Sequence, residues 1–237
     1  MESWLQALKI FALVLLGFAV YQLVLRIIRH YWHFPAPAFL TLLLNSQFRA
    51  RLQPPIPQLL RCGVRTGQHV MEIGCGGGFF LPYAARMVGS AGKVYGLDIS
   101  SAMLRRSRKY LLRWPPEIRE HIELLQENAC HITLPDESLD VVYYVLTLME
   151  IPDPLGALTE ARRVLKKDGV LAICEGLMDP DYPGQRTTIR CAEAAGFQVE
   201  AVEGNFFLYT VRCIKADPSS REQRPFHAIT AFPDKNA

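Results

Sequence analysis

A glycine-rich turn at residues 74–78 follows directly after a short apolar segment, residues 69–73. Its glycines carry no Cβ, so a ligand can approach the backbone closely. The spacing does not fit the nicotinamide-cofactor pattern G-x-G-x-x-G, which would need a glycine where Phe79 stands, and the sequence has no G-x-x-x-x-G-K-[ST] phosphate loop. Twenty residues beyond the last glycine, Asp98 ends a second apolar segment and can accept hydrogen bonds from ribose hydroxyls. This combination favours a nucleoside ligand that has no pyrophosphate.

From residue 67 onward the sequence pattern predicts strands that alternate with helices. Predicted strands cover residues 69–73, 92–98, 121–126, 140–148 and 169–175. Predicted helices cover residues 79–88, 101–114, 154–166 and 186–195, and a β pair at 197–203 and 207–216 follows. Such alternation predicts an α/β fold with a doubly wound, mostly parallel sheet. Ligands bind sheets of this kind at the carboxyl ends of the strands, near the point where the strand order reverses.

These ordered segments resemble the class I S-adenosylmethionine-dependent methyltransferases, most closely the type 11 group that includes the ubiquinone/menaquinone methyltransferases. The matching segments are VMEIGCGGG (70–78), VYGLDIS (94–100), ENACHITLPDESLDVVYY (127–144), ARRVLKKDGVLAICE (161–175) and AAGFQVE (194–200). The resemblance implies a Rossmann-like sheet of seven mostly parallel strands with helices on both faces, the last strand being antiparallel. It also implies S-adenosyl-L-methionine as the cofactor.

By the same resemblance, ten residues would bind the cofactor: Glu72, Gly74, Cys75, Gly76, Gly78, Asp98, Ile99, Met103, Asn128 and Ala129. Glu72 would orient the glycine turn and approach the methionine amino group, while the turn itself would pass beneath the cofactor. Asp98 would hold both ribose hydroxyls, and Ile99 and Met103 would line the adenine. Asn128 stands where the family has an aspartate beside Ala129, and its side-chain carbonyl can still accept a hydrogen bond from the adenine amino group.

The catalytic residues are less defined, because the sulfonium charge of the cofactor already activates the methyl group. The protein then has to align a nucleophile with the methyl–sulfur bond and exclude water, and it needs a general base only if the acceptor must lose a proton. Tyr143 and Tyr144 alternate faces of the predicted fourth strand, so one of them belongs to the core and the other can face the site. By the resemblance, Tyr144 falls near the family's methyl-transfer position, and it is the catalytic candidate by a narrow margin over Tyr143. His131, Glu150, Glu175 and Asp179 are candidate general bases, although a structural role explains each of them better.

The N-terminal segment suggests a membrane anchor, since residues 10–25 carry no charged side chain and extension back to Trp4 adds only one. A helix over residues 4–25 would be about 33 Å long, enough for a hydrocarbon core of about 30 Å. The alternative is a buried helix of an ordinary soluble protein. Arg26 and Arg29 follow this stretch, so the positive-inside rule predicts a single-pass membrane protein whose catalytic domain is cytoplasmic.

The net charge of +3 is divided unevenly, because residues 1–71 carry seven basic side chains and one acidic one, whereas the remainder is net acidic. This distribution argues against a nucleic-acid binder. The six cysteines form no C-x-x-C pair, so we expect no metal site. The predicted organisation is a transmembrane anchor with a basic flank at 1–33, an amphipathic and proline-rich connector at 34–59, a methyltransferase domain at 60–216, and a disordered tail at 217–237.

Together these features predict methyl transfer to a small, membrane-soluble acceptor such as a quinol, a lipid amine, a hydrophobic thiol or a phenol. An anchor would concentrate the active site beside a substrate that is dissolved in the same membrane. Two alternatives remain open at this stage. The acceptor could be a soluble small molecule, with the anchor serving localisation alone, or the protein could be a non-catalytic membrane adaptor that retains the fold.

Overall fold

The computed structural model of the protein describes residues 53–177, 179 and 182–216, and, nearer the N terminus, residues 4, 6, 9–13, 16, 17, 20 and 24. In this part of the chain no helix has both the length and the apolar character that a bilayer crossing requires. The predicted membrane-spanning helix at 4–25 and the predicted tail at 217–237 lie largely or wholly outside the described residues, as do residues 34–52 of the predicted connector. The anchor is therefore not confirmed and stays a prediction.

The main body alternates strands and helices, as the sequence predicts. Its strands are β1 (His69–Ile73), β2 (Lys93–Leu97), β3 (Ile122–Leu125), β4 (Leu139–Val145), β5 (Leu165–Gly176), β6 (Phe197–Gly204) and β7 (Leu208–Lys215). Its α-helices are α1 (Pro55–Arg61), α2 (Leu81–Val88), α3 (Ser101–Leu111), α4 (Pro116–Arg119), α5 (Pro154–Val164) and α6 (Gln185–Ala194), and a 3₁₀ turn covers Leu148–Glu150.

The seven strands form one sheet in the order β3-β2-β1-β4-β5-β7-β6. Strands β1 to β5 pair in parallel, whereas β7 runs antiparallel to both β5 and β6. The predicted Rossmann-like, mostly parallel seven-stranded sheet with an antiparallel last strand is therefore confirmed. The strand order reverses between β1 and β4, so the carboxyl ends of these strands mark the expected ligand site.

Apolar side chains pack on both faces of this sheet because alternate residues of a strand point to opposite sides. In β4, Tyr143 lies in the apolar layer that includes α2 and α3, whereas Tyr144 lies in the layer that includes α5. Both tyrosines are fully buried. The two faces of the sheet are thus covered by different helices.

Helix α1 begins within residues 34–59, for which the sequence predicts an amphipathic and proline-rich connector. Pro55 stands in the first turn, where a proline fits because its missing N–H would have no helical partner and its φ is already helical. Leu59 and Cys62 are fully buried in the main core, and the helix runs across the predicted boundary between residues 59 and 60. The proline cluster therefore starts a helix that packs on the sheet.

Candidate functional site

The glycine turn begins at Gly74, directly after β1. The amides of Gly74 and Cys75 both donate hydrogen bonds to the carbonyl of Leu97, at 2.8 and 3.0 Å, which ties the turn to the end of β2. Gly74 has a φ of +72°, and a Cβ at this position would clash with the side chain of Thr147. Glycine is required here because the backbone is left-handed and a neighbouring side chain fills the space.

Two other glycines of the turn, Gly76 and Gly78, have different surroundings. A Cβ on Gly78 would clash with the hydroxyl of Ser107 in α3, so this glycine serves the contact between turn and helix. A Cβ on Gly76 would meet no atom within 4 Å, although its φ of +52° still disfavours a side chain. Gly76 therefore lines open space, and this is where a ligand can lie against the backbone.

Asp98 closes this space at the end of β2. Its Oδ2 accepts a hydrogen bond of 2.8 Å from the amide of Gly76, and its Oδ1 accepts one of 2.8 Å from the amide of Ser100. Burial raises the pKa of the carboxyl group, and the two backbone hydrogen bonds partly oppose that shift. Each carboxylate oxygen keeps a second lone pair, so Asp98 can still accept hydrogen bonds from a pair of ligand hydroxyls.

Glu72 lies in β1, two residues before the turn, and is almost fully buried. It is in register with Tyr143 of β4, whose hydroxyl lies 3.4 Å from Glu72 Oε2 and donates to it. Burial, followed by the charge of Glu72, raises the pKa of Tyr143 well above its ordinary value. The tyrosine therefore stays protonated and acts as a donor that holds the Glu72 carboxylate in place.

Cys75 lies between these carboxylates and is nearly buried. Burial raises the pKa of its thiol well above the ordinary value, and the charges of Glu72 and Asp98 raise it further. Since the thiolate is the reactive form of cysteine, this protonated thiol is unreactive. It contributes packing to the turn and is not a nucleophile.

The predicted adenine contacts lie beyond the ends of β2 and β3. Ile99 follows Asp98 and is exposed, whereas Met103 is nearly buried in the first turn of α3, where its amide binds the capping hydroxyl of Ser100 at 3.3 Å. Asn128 is exposed and follows the end of β3, and its Oδ1 accepts a hydrogen bond of 2.9 Å from the amide of Cys130. One lone pair of this oxygen remains for a ligand. Ala129 beside it is buried.

The structure thus brings the predicted cofactor residues to one edge of the sheet, at the carboxyl ends of β1, β2 and β3. It does not bring Tyr144 to that group. Tyr144 is buried on the opposite face of β4, its hydroxyl donates to the carbonyl of Ala157 at 3.1 Å, and burial raises its pKa. Tyr143, the alternative that sequence reasoning ranked second, is the tyrosine whose hydroxyl contacts Glu72. The pleat alternation shows that the two rings face opposite ways, but only the register of β1 against β4 shows which one meets Glu72.

Two further residues of the site follow β4, where the sequence suggested that the strand continues to residue 148. The strand ends at Val145, and Leu146 adopts a left-handed φ of +56°, which is unusual for a residue other than glycine. This bend brings Thr147 against Gly74, where its hydroxyl binds the carbonyl of Val145 at 3.0 Å. Strained backbone of this kind is concentrated at functional sites.

Comparison with known proteins places this geometry in a family context. Residues 71–173 match the family model described as a methyltransferase domain, Methyltransf_11. A demethylmenaquinone methyltransferase of Lysinibacillus sphaericus is 32% identical over 127 residues, which cover 54% of this chain and 52% of that protein. The ubiquinone/menaquinone biosynthesis C-methyltransferase UbiE of Hahella chejuensis is 36% identical over 115 residues, covering 48% and 45%. The chain thus spans about half the length of the curated relatives it matches.

Two solved structures extend the comparison to the whole sheet. A SAM-dependent methyltransferase from Aquifex aeolicus superimposes with a TM-score of 0.69 at 26% identity, covering 76% of this chain and 99% of that one. The glycopeptide N-methyltransferase MtfA, complexed with sinefungin, has a TM-score of 0.58 at 16% identity, covering 70% and 86%, and this likeness concerns the fold alone. The predictions of an S-adenosylmethionine-dependent methyltransferase domain and of S-adenosylmethionine as its cofactor are confirmed.

Proposed function

We propose that this S-adenosylmethionine-dependent methyltransferase acts on a small, ring-bearing acceptor of the quinol type that is dissolved in a membrane. The observation that carries the proposal is the open space over Gly76, which is bounded by the Asp98 carboxylate and by the turn that Thr147 supports. The acceptor class comes from the names of the two curated relatives, which concern demethylmenaquinone and ubiquinone or menaquinone.

The residues of the turn fit the cofactor. Gly76 presents bare backbone to it, and the Asp98 carboxylate offers acceptors to the two ribose hydroxyls. Glu72, held by the Tyr143 hydroxyl, offers a buried negative charge to the methionine ammonium group. S-adenosylmethionine, when bound, supplies an electrophilic methyl group, so this chain's own task is to bind, orient and exclude water.

Glu72, the glycine turn at 74–78 and Asp98 together form what we call the cofactor cradle. The neutral groups around this cradle also matter for the chemistry. Burial keeps the Cys75 thiol and the Tyr143 phenol protonated, so neither competes with the acceptor as a nucleophile. The same burial makes both groups poor general bases near neutral pH. An acceptor that is already electron-rich, such as the ring carbon of a quinol, fits this arrangement better than a poorly nucleophilic alcohol.

The membrane part of the proposal rests on the N-terminal sequence. Residues 10–25 have no charged side chain, and Arg26 and Arg29 follow. In this proposal they anchor the protein as a single-pass membrane protein with the methyltransferase domain in the cytoplasm. Anchoring would raise the effective concentration of an acceptor that is confined to the same bilayer.

Calorimetric titration of the full-length protein with S-adenosylmethionine tests the cofactor half of this function. We expect binding that is weakened about tenfold or more in D98A, since each hydrogen bond to a charged group contributes about 1.5–3 kcal/mol. D140A is the matched control, because Asp140 also accepts a backbone hydrogen bond, from His69, but lies at the amino end of β4. Equal binding by D98A and D140A would contradict the assigned cradle.

The acceptor half is tested with labelled cofactor and two quinols, one with an isoprenoid tail in phospholipid vesicles and one without a tail in water. We expect faster methylation of the tailed, vesicle-borne quinol. Faster methylation of the soluble quinol would favour a soluble acceptor, with the N-terminal segment serving localisation alone. Cofactor binding with no transfer to either quinol would favour a non-catalytic adaptor.

A further inference from the structure

The turn between β6 and β7 presents two phenylalanines to solvent on a tightly specified backbone. Asn205 Oδ1 accepts hydrogen bonds from the amides of Phe207 and Leu208 at 2.9 and 3.1 Å, and the Asn205 amide donates to Leu208 O at 2.9 Å. Gly204 has a φ of +111°, and a Cβ there would clash with the carbonyl of Leu208. The turn therefore has little conformational freedom.

Contacts with the segment after β5 fix the turn further. The Tyr182 hydroxyl donates to Phe206 O at 2.6 Å, and the Leu177 amide donates to Phe207 O at 2.9 Å. The rings of Tyr182 and Phe206 stack edge to face at 5.8 Å, and those of Phe206 and Phe207 at 5.7 Å. In spite of these contacts, Phe206 is 55% exposed and Phe207 is 68% exposed. Phe206 and Phe207 are adjacent and in contact with each other, so they form one exposed apolar patch, a feature that can mark an interaction surface.

We call residues 204–208 the aromatic turn. It lies at the same end of the sheet as the cofactor cradle, where the parallel strands have their carboxyl ends (the carboxyl edge). Leu208 pairs with Gly176, the last residue of β5, so the turn projects beyond the carboxyl end of that strand. The cradle lies at the carboxyl ends of β1 and β2, which run parallel to β5. A surface that contacts the side chains of Phe206 and Phe207 would therefore face the open side of the cofactor site.

The first residues of the main body, just before α1, lie at that end of the strands as well. In α1, Gln58 binds Thr210 Oγ1 at 2.8 Å, whereas Arg61 O, one turn later, accepts from Arg212 at 3.3 Å. Thr210 and Arg212 are in register with Cys174 and Ala172, so α1 runs from the carboxyl edge towards the amino end of β5. Residue 53 thus enters the domain at the carboxyl edge, preceded by Arg49 and Arg51 and, farther upstream, by the uncharged residues 10–25.

We propose that the aromatic turn, through Phe206 and Phe207, is a membrane-contacting surface that seats the carboxyl edge of the sheet on a phospholipid bilayer. This inference rests on the membrane part of the proposed function and assigns it an orientation. Phenylalanines at the interface insert their rings among the headgroups and upper acyl chains, to a depth of about 5–10 Å. Basic residues near the surface add attraction to anionic headgroups. An acceptor dissolved in the bilayer would then reach the cradle without crossing water.

The experiment places a tryptophan at the turn of the full-length protein and measures quenching by brominated lipids. F207W is reconstituted in vesicles of phosphatidylcholine and phosphatidylglycerol, with or without bromine on the acyl chains. L112W is the matched control, because Leu112 is also 68% exposed but follows the end of α3, at the opposite edge. Trp4, Trp32 and Trp114 contribute the same background to both variants, and the emission of the parent protein is subtracted.

We expect brominated lipid to quench about half or more of the emission that F207W adds, and about a tenth or less of the emission that L112W adds, given this shallow insertion. Equal quenching of the two variants, or none of F207W, would overturn the proposal. Emission from F207W that shifts to shorter wavelength without bromine quenching would also overturn it, because another segment such as residues 34–52 would then cover the turn.

A second variant, F206W, repeats the measurement, and calorimetry with S-adenosylmethionine confirms that each variant is folded. The quenching does not depend on methyl transfer. Failure of the transfer assay beside a quenched F207W would therefore contradict the acceptor assignment and support the membrane surface. Normal transfer to a tailed quinol beside an unquenched F207W would support the acceptor assignment and contradict the membrane surface.

Discussion

The backbone amide of Gly76 donates a hydrogen bond of 2.8 Å to Oδ2 of Asp98, which joins the glycine turn after β1 to the end of β2. The bond holds the carboxylate beside Gly76, whose missing side chain opens onto free space. The other oxygen of Asp98 accepts from Ser100, so both oxygens are fixed before any ligand arrives. The site is therefore pre-organised, which reduces the entropy lost on binding.

The titration of Asp98 predicts a pH dependence of cofactor binding. Burial raises the pKa of this carboxyl group, and only the ionised form has all its lone pairs available for ribose hydroxyls. We expect the affinity for S-adenosylmethionine to fall as the pH drops through a value above that of an ordinary aspartate, about 3.9. Calorimetry across acidic pH checks this, and D98N should bind weakly without that titration. An unchanged titration in D98N would contradict the assignment.

The raised pKa of Asp98 has the opposite effect on folding stability: low pH weakens cofactor binding but favours the folded state. A carboxyl group whose pKa is raised by folding binds its proton more tightly in the native state, so its contribution to stability is fully present below the unfolded pKa. That contribution is lost as the pH rises through the folded pKa. Between these two values, D98N should therefore make the unfolding free energy less dependent on pH than in the parent. Urea unfolding at several acidic pH values measures this slope.

The glycine turn gives a prediction with a strain-matched control. G76A should reduce the affinity for S-adenosylmethionine more than tenfold, because its methyl group enters the space that the cofactor needs. G67A has a similar left-handed φ, of +80°, and the same lack of neighbours, but precedes β1 at the amino edge. Both variants should lose about 1–2 kcal/mol of unfolding free energy from backbone strain. Comparable cofactor affinity in both would contradict the placement of the ligand over Gly76.

The two tyrosines of β4 give a second matched pair. Y143F removes the donor to Glu72, and Y144F removes the donor to Ala157 O on the other face. Each should lower the unfolding free energy by about 1 kcal/mol, the usual contribution of such a hydrogen bond. Only Y143F should weaken S-adenosylmethionine binding, as measured by calorimetry. A larger binding defect in Y144F would restore that residue as the tyrosine of the site.

The buried contacts of helix α1 predict an effect on the unfolding free energy that does not depend on cofactor binding. Gln58 is buried and donates from Nε2 to Thr210 Oγ1 at 2.8 Å and to Cys174 Sγ at 2.9 Å. Q58A should lower the unfolding free energy by about 1–3 kcal/mol, because buried polar atoms lose their partner. L60A, on the exposed side of the same helix, should change it by about 0.5 kcal/mol or less. Equal effects in chemical denaturation would show that α1 does not pack as described.

Sequence reasoning predicted β1 and β2 because each is a short apolar run that ends at a glycine or a carboxylate. Glu72, Gly74 and Asp98 could be predicted as site residues for the same reason, since they stand at or near the ends of these two strands. The hydrogen-bond partner of Glu72 could not be predicted, because the sequence does not state the register of β4 against β1. The left-handed Leu146 has no turn residue to mark it. The proline-rich sequence at the start of α1 suggested a connector, although Pro55 fits the first turn of a helix.

The most direct test of the account is transfer of the labelled methyl group from S-adenosylmethionine to a tailed quinol in vesicles, catalysed by the full-length protein. We expect labelled quinol to form with the parent protein and with D140A, and to fall at least about tenfold with D98A at limiting cofactor, in line with the hydrogen bonds lost. Formation of labelled quinol at the same rate by D98A and the parent protein would contradict the account, as would its absence with the parent protein.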